Sequence, residues 1–69
     1  MDVEKVWSMA RATEGAFSVD GVTVSLEVAA ALRSYPAPHL ERGELVFAKG
    51  PSPRRRLVAV DGVARLEVA

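Results

Sequence analysis

The chain has 69 residues, nine basic and nine acidic side chains, and no Cys. Disulfide stapling is therefore excluded, and one His with no Cys cannot supply a four-ligand structural zinc site. A net charge of zero gives no global pull toward nucleic acid or an acidic membrane, and a chain this short buries only about 60% of its unfolded surface, so regular packing or self-association has to supply its stability.

Other features of composition set the class. No apolar run approaches the roughly 20 residues of a membrane-spanning helix. The acidic start, Met1-Asp2-Val3-Glu4, lacks the basic stretch of a signal peptide, so a cytoplasmic location is expected. Asn, Gln, Ile and Cys are all missing, which points to a high-GC and thermophilic source.

Taken in order, residues 2–13 are expected to be a helix. Asp2 can cap its start, and Val3, Val6, Trp7 and Ala10 fall on one stripe. Gly15 can take the left-handed conformation past its end.

Next comes Val19-Asp20-Gly21-Val22, a tetrapeptide repeated at Val60-Asp61-Gly62-Val63. Asp-Gly between alternating apolar residues is a strong signal for a two-residue hairpin of type I′, which needs positive φ at both central residues. The first hairpin then pairs Val19 with Val22, Ser18 with Thr23, Phe17 with Val24 and Ala16 with Ser25. Phe17, Val19, Val22 and Val24 share an inward face. A slip of one residue would turn that face to water.

A second helix is expected over 26–35, with Ser25 as its cap and Val28, Leu32 and Tyr35 on one face. Pro36 ends it. Residues 36–43 read as a connection in which Leu40 tucks inward and a single helical turn can form. Residues 44–49 read as a strand, with Leu45 and Phe47 on one face and Val46 and Ala48 on the other. Gly50-Pro51-Ser52-Pro53 is a stiff loop.

The second hairpin joins 55–60 to 63–68. Its pairs are Val60 with Val63, Ala59 with Ala64, Val58 with Arg65, Leu57 with Leu66 and Arg56 with Glu67. Leu57, Ala59, Ala64, Leu66 and Val68 belong to the core face. Val58, Val60 and Val63 lie on the other, beside Arg65 and the Arg56–Glu67 pair. Three valines on an otherwise polar face call for a lid or a partner.

The expected fold is a single α+β domain over residues 1–69, in the order α-β-β-α-β-β-β. Its sheet is mostly antiparallel, with two Asp-Gly hairpins and both helices packed on one face. Both Val-Asp-Gly-Val copies are followed by Leu-Glu-Val, after three residues in one case and two in the other. The unequal spacing changes which side each later residue faces, so this is shared turn chemistry rather than a repeat.

Catalytic inventory is thin. His39 is the only His and has no Cys to activate. Asp20 and Asp61 belong to turns, and Asp2 and Glu27 to helix starts. Glu41 and Glu44 flank Gly43 and could share a site, against the plainer reading of two hydrated surface carboxylates. All five glycines are isolated, and none opens a helix after a strand, which removes a phosphate-cradling loop. No catalytic residue, cofactor or metal is expected.

Two clusters remain. Arg54-Arg55-Arg56, with Lys49 across the loop, is a candidate contact for an anion or nucleic acid. The alternative, favoured by the zero net charge and the lack of an aromatic platform nearby, is a charged tip that keeps a sheet edge soluble. Val58, Val60 and Val63 form the candidate self-association face.

The expected function is non-enzymatic binding, as a protein–protein interaction module or a homo-oligomeric accessory domain, with a homodimer favoured. One alternative is a nucleic-acid-binding protein whose element order resembles a winged helix, with Arg54–Arg56 on the wing. The other is a scaffold whose 16–68 segment resembles β-grasp order. It ends Arg65-Leu66-Glu67-Val68-Ala69, lacking the Gly-Gly tail of small sulfur carriers.

Overall fold

A computed structural model describes residues 1–69. Its elements are α1 (Val3–Ala12), β1 (Phe17–Val19), β2 (Val22–Val24), α2 (Leu26–Ser34), β3 (His39–Glu41), β4 (Glu44–Val46), β5 (Arg55–Val60) and β6 (Val63–Val68). The α+β class is as expected, with one strand more than the sequence reading contained.

Both helices start where their caps place them. The Asp2 carboxylate accepts from the Lys5 N–H, and the Ser25 hydroxyl accepts from the Val28 N–H. Each cap satisfies an N–H that has no partner within the helix. Thr13 closes α1 by donating its N–H and its hydroxyl to the Met9 carbonyl. Arg11 lies over the Trp7 ring, 4.9 Å from its centre.

The two Asp-Gly corners reverse the chain tightly. Asp20 and Gly21 have φ of 51° and 77°, and Asp61 and Gly62 have 51° and 75°. Positive φ at both positions is the type I′ signature. The first hairpin pairs Phe17–Val24, Ser18–Thr23 and Val19–Val22. Pairing stops there because Ser25 turns to cap α2. The second pairs all six residues of β5 with β6 in the expected register.

The main sheet runs β1-β2-β6-β5. Its one parallel junction sets Thr23 beside Val63, with the Thr23 N–H donating to the Gly62 carbonyl at 2.7 Å. The two Asp-Gly corners therefore sit side by side at one end of the sheet. Against its inner face pack Val6 and Ala10 of α1 and Ala29 and Leu32 of α2, closing on Val24, Phe47, Leu57 and Ala64. No polar or charged residue is buried.

Residues 36–43 depart from the sequence reading. Instead of a loop with a helical turn, 39–41 form β3, which pairs with β4 through a third tight corner at Arg42 and Gly43 (φ 52° and 82°). Leu40 is not tucked in; it is 70% exposed. The winged-helix analogy needs a recognition helix in 37–43, and this strand takes its place.

The strand expected over 44–49 stops at Val46. There the chain changes partner: Val46 pairs with His39, while Phe47 exchanges both backbone hydrogen bonds with Arg55 of β5. Alternation breaks at that step, so the neighbours Val46 and Phe47 are both buried. On β5 and β6 the expected core face also narrows toward its ends, where Ala59 and Val68 are exposed.

The shared Leu-Glu-Val tripeptide shows how context decides. After Ser25 it opens a helix; after Arg65 it ends a strand. No helix of the chain is long and apolar enough to cross a membrane.

Candidate functional site

Two surfaces collect the side chains singled out by sequence: the arginine end of the sheet and the outer face of β5 and β6.

At the arginine end, the β3–β4 ribbon lies against the start of β5 and brings carboxylates to the arginines. Arg54 donates through Nε to both oxygens of Glu41, at 3.0 and 2.7 Å. His39 donates from Nε2 to the same Glu41 carboxylate at 2.6 Å. Arg56 donates to Glu44 at 3.1 Å and stands 3.9 Å from Glu67. Glu67 also accepts two bonds from Arg65.

The cluster read as four positive charges is thus interleaved with three carboxylates. Of those four, Arg54 and Arg56 are paired, and Lys49 and Arg55 make no ion pair. A phosphate entering here would have to displace Glu41 and Glu44 from their partners. Hidden in the sequence was the ribbon, which sets those two carboxylates beside residues more than ten positions away.

Between ribbon and sheet lies an open cleft of about 260 Å³ lined by Glu41, Arg42, Glu44, Val46, Arg54 and Ala69. Its best acid–base candidate is Glu41. The hydrogen bonds from Arg54, then from His39, hold its carboxyl below the ordinary value. A general acid at neutral pH needs the opposite shift, and a base this weak sits far from the useful range. No three His, Asp or Glu side chains are grouped closely enough to hold a metal.

The outer face of the main sheet is built row by row. Cross-strand registry places Ser18, Thr23, Val63 and Val60 in one row across all four strands. Val58 and Arg65 form the next row, and Arg56 and Glu67 the third. Val60 and Val63 are 42% and 47% exposed, and Val58 is half-buried. Neither helix covers this face, because both pack into the core on the opposite one.

One structural arginine was invisible in the sequence. Arg33 of α2 donates to the Ala10 carbonyl at 2.6 Å and the Gly15 carbonyl at 2.8 Å. It satisfies the open end of α1 across the helix pair. Position in a last helical turn predicts only a favourable dipole contact.

No model of a known protein family matches the chain, and neither a curated protein nor a solved structure matches it.

Proposed function

We propose that this chain is a non-catalytic binding module and that its working surface is the outer face of β5 and β6. One observation carries the reading: Val60 and Val63, paired directly across two strands with Val58 alongside, stand exposed on a sheet whose other face holds the core. β-branched residues pack well on a pleated surface. A solvent-facing sheet position needs no such side chain, and the neighbouring Ser18 and Thr23 show what the same face carries where it is merely wet.

The arginine end supports the reading from the other side. Its acids and bases are paired with one another at the surface, and Glu41 is tuned away from proton transfer near neutrality. Such pairs keep a sheet end soluble and fix the ribbon's position. They provide rim polarity next to an apolar centre, the usual anatomy of a protein interface.

The test is differential capture. Immobilised chain is compared with a Val60→Lys/Val63→Lys variant, offering both cell extract and untagged chain. The wild type is expected to retain a protein, either another chain or its own copy, that the variant releases. Equal retention by both overturns the reading. Dispersed amide NMR spectra of the variant establish that its fold persists.

A further inference from the structure

We infer that the occupant of this face is a second copy of the chain, docked sheet to sheet about a two-fold axis running along the strands between β5 and β6. The inference rests on the binding role proposed above for the same face and adds the identity and geometry of the partner.

The cross-strand pairs carry it. Outward pairs run Val60–Val63, Val58–Arg65, Arg56–Glu67. A two-fold axis parallel to the strands lays β5 of one copy over β6 of the other at the same level. Every outward pair then meets itself reversed. Val60 lies over Val63 of the second copy and Val63 over Val60. Arg56 lies over Glu67 and Glu67 over Arg56. Val58 lies under the aliphatic stem of Arg65, which can cover apolar surface while its head stays wet. Two-fold interfaces require this self-complementarity, and face-to-face sheets with nearly aligned strands accept it.

Charge agrees. The outward rows and the Glu44 beside them carry Arg56 and Arg65 against Glu44 and Glu67, which sum to zero, while Asp61 at the corner stands unpaired. No Lys lies on this face; the two lysines are in α1 and in the loop after β4. Interfaces favour Arg and exclude Lys. A wholly apolar partner would leave the arginine–glutamate row unmatched, and a nucleic acid would meet Glu44 and Glu67.

Size sets the strength. Six-residue strands are about 20 Å long, and the two overlaid strands at 4.8 Å spacing span about 10 Å. The patch is therefore roughly 200 Å² per copy, well under the ~800 Å² per partner of a standard interface. Association is expected in the high micromolar range, so it must be sought at high concentration.

Sedimentation of the full chain from about 10 µM to about 1 mM tests this. The average mass is expected to rise from 7.4 kDa toward its double. Val60→Lys is expected to weaken association about tenfold or more, with the fold intact by NMR. Arg56→Glu and Glu67→Arg each place like charges opposite one another in a self-pair, and each is expected to be monomeric alone. Mixed one to one, the two variants bring opposite charges together at both crossings and are expected to associate. Ion pairing within one chain cannot produce that rescue.

Wild-type chain that stays monomeric at about 1 mM overturns self-pairing, as does failure of the mixture to associate where wild type does. If the monomeric wild type still retains a protein that Val60→Lys/Val63→Lys releases, the binding role of the face survives with a different partner. If it retains none, both readings fall.

Discussion

The helix-covered side of the main sheet and the β3–β4 ribbon hold together by different means. The first is a continuous apolar cluster joining α1, α2 and the inner faces of β2, β5 and β6, with no buried charge. The ribbon has one buried valine, an outward leucine, and a line of surface ion pairs to Arg54 and Arg56. Burial of apolar area is not screened by salt and carries no titrating group. Exposed ion pairs are weak and screened. The ribbon is therefore the part of the molecule that conditions can loosen first, while the sheet and helices respond mainly to changes in packing.

Phe47 joins the two regions and gives the largest expected effect. It is fully buried, its ring lies 5.7 Å from that of Tyr35, and its backbone ties the ribbon's exit to β5. Phe47→Ala removes the largest buried side chain and is expected to cost about 3–5 kcal/mol. In a domain of this size that is enough to unfold much of the population at room temperature. Leu40→Ala, in the ribbon, is expected to change stability by less than about 0.5 kcal/mol, since its side chain already faces water. Urea denaturation of both variants checks the contrast, and equal losses would break the division into two regimes.

Arg33→Met comes next. It keeps most of the stem but leaves the Ala10 and Gly15 carbonyls without their donor. Leaving shielded carbonyls unpaired is expected to cost about 1–3 kcal/mol. The loss belongs to the packed side, so it appears in the global transition and in faster exchange of amides in α1. Arg11→Met, which loses only an exposed contact with Trp7, serves as the reference and is expected to change little.

Much of the packed side was legible because its signals are local. Asp20-Gly21 and Asp61-Gly62 state their own turn type, and the alternation on either side states the register. Caps at Asp2 and Ser25 mark both helix starts. What could not be read was long-range. Nothing in Thr23 or Val63 announces a parallel junction, and nothing in Arg33 announces a carbonyl 23 residues away. The ribbon escaped because its corner is Arg42-Gly43. Arg seldom takes positive φ, and the flanking Leu40 and Leu45 lack the alternating pattern that marked the other hairpins. The arginine cluster was found by sequence, but its carboxylate partners depend on that same ribbon.

The glycine of each corner sharpens the comparison at smaller scale. Gly43 and Gly62 have φ of 82° and 75°. A Cβ at Gly43 meets nothing, and one at Gly62 makes only an ordinary contact with the Gly21 carbonyl. Substitution by Ala therefore imposes nearly the same backbone strain at both, about 1 kcal/mol. The destinations differ. Gly62→Ala strains the corner of the longest hairpin and is expected to lower the melting temperature. Gly43→Ala is expected to leave that midpoint nearly unchanged and to appear as faster amide exchange confined to 39–46, because the ribbon opens without the core.

Titration of Glu41 is the smallest expected effect and the most specific to the ribbon. Hydrogen bonds from Arg54 and His39 lower its pKa in the folded chain. A lowered folded value means that the carboxylate form favours the folded ribbon. That contribution is fully present above the ordinary carboxyl value of 4.5 and is lost as pH falls through the lower, folded value. Acidification is therefore expected to release the ribbon from Arg54 while amides facing Leu57 and Ala64 keep their protection. The carboxyl carbon resonance of Glu41 reports the midpoint directly. Arg54→Ala is expected to move that midpoint up toward the ordinary value, and salt at about 1 M to move it partway, since screening then acts within about 3 Å. A midpoint unmoved by Arg54→Ala would mean that Arg54 does not hold Glu41, and the ion pairs would lose their place as what distinguishes the ribbon from the packed sheet.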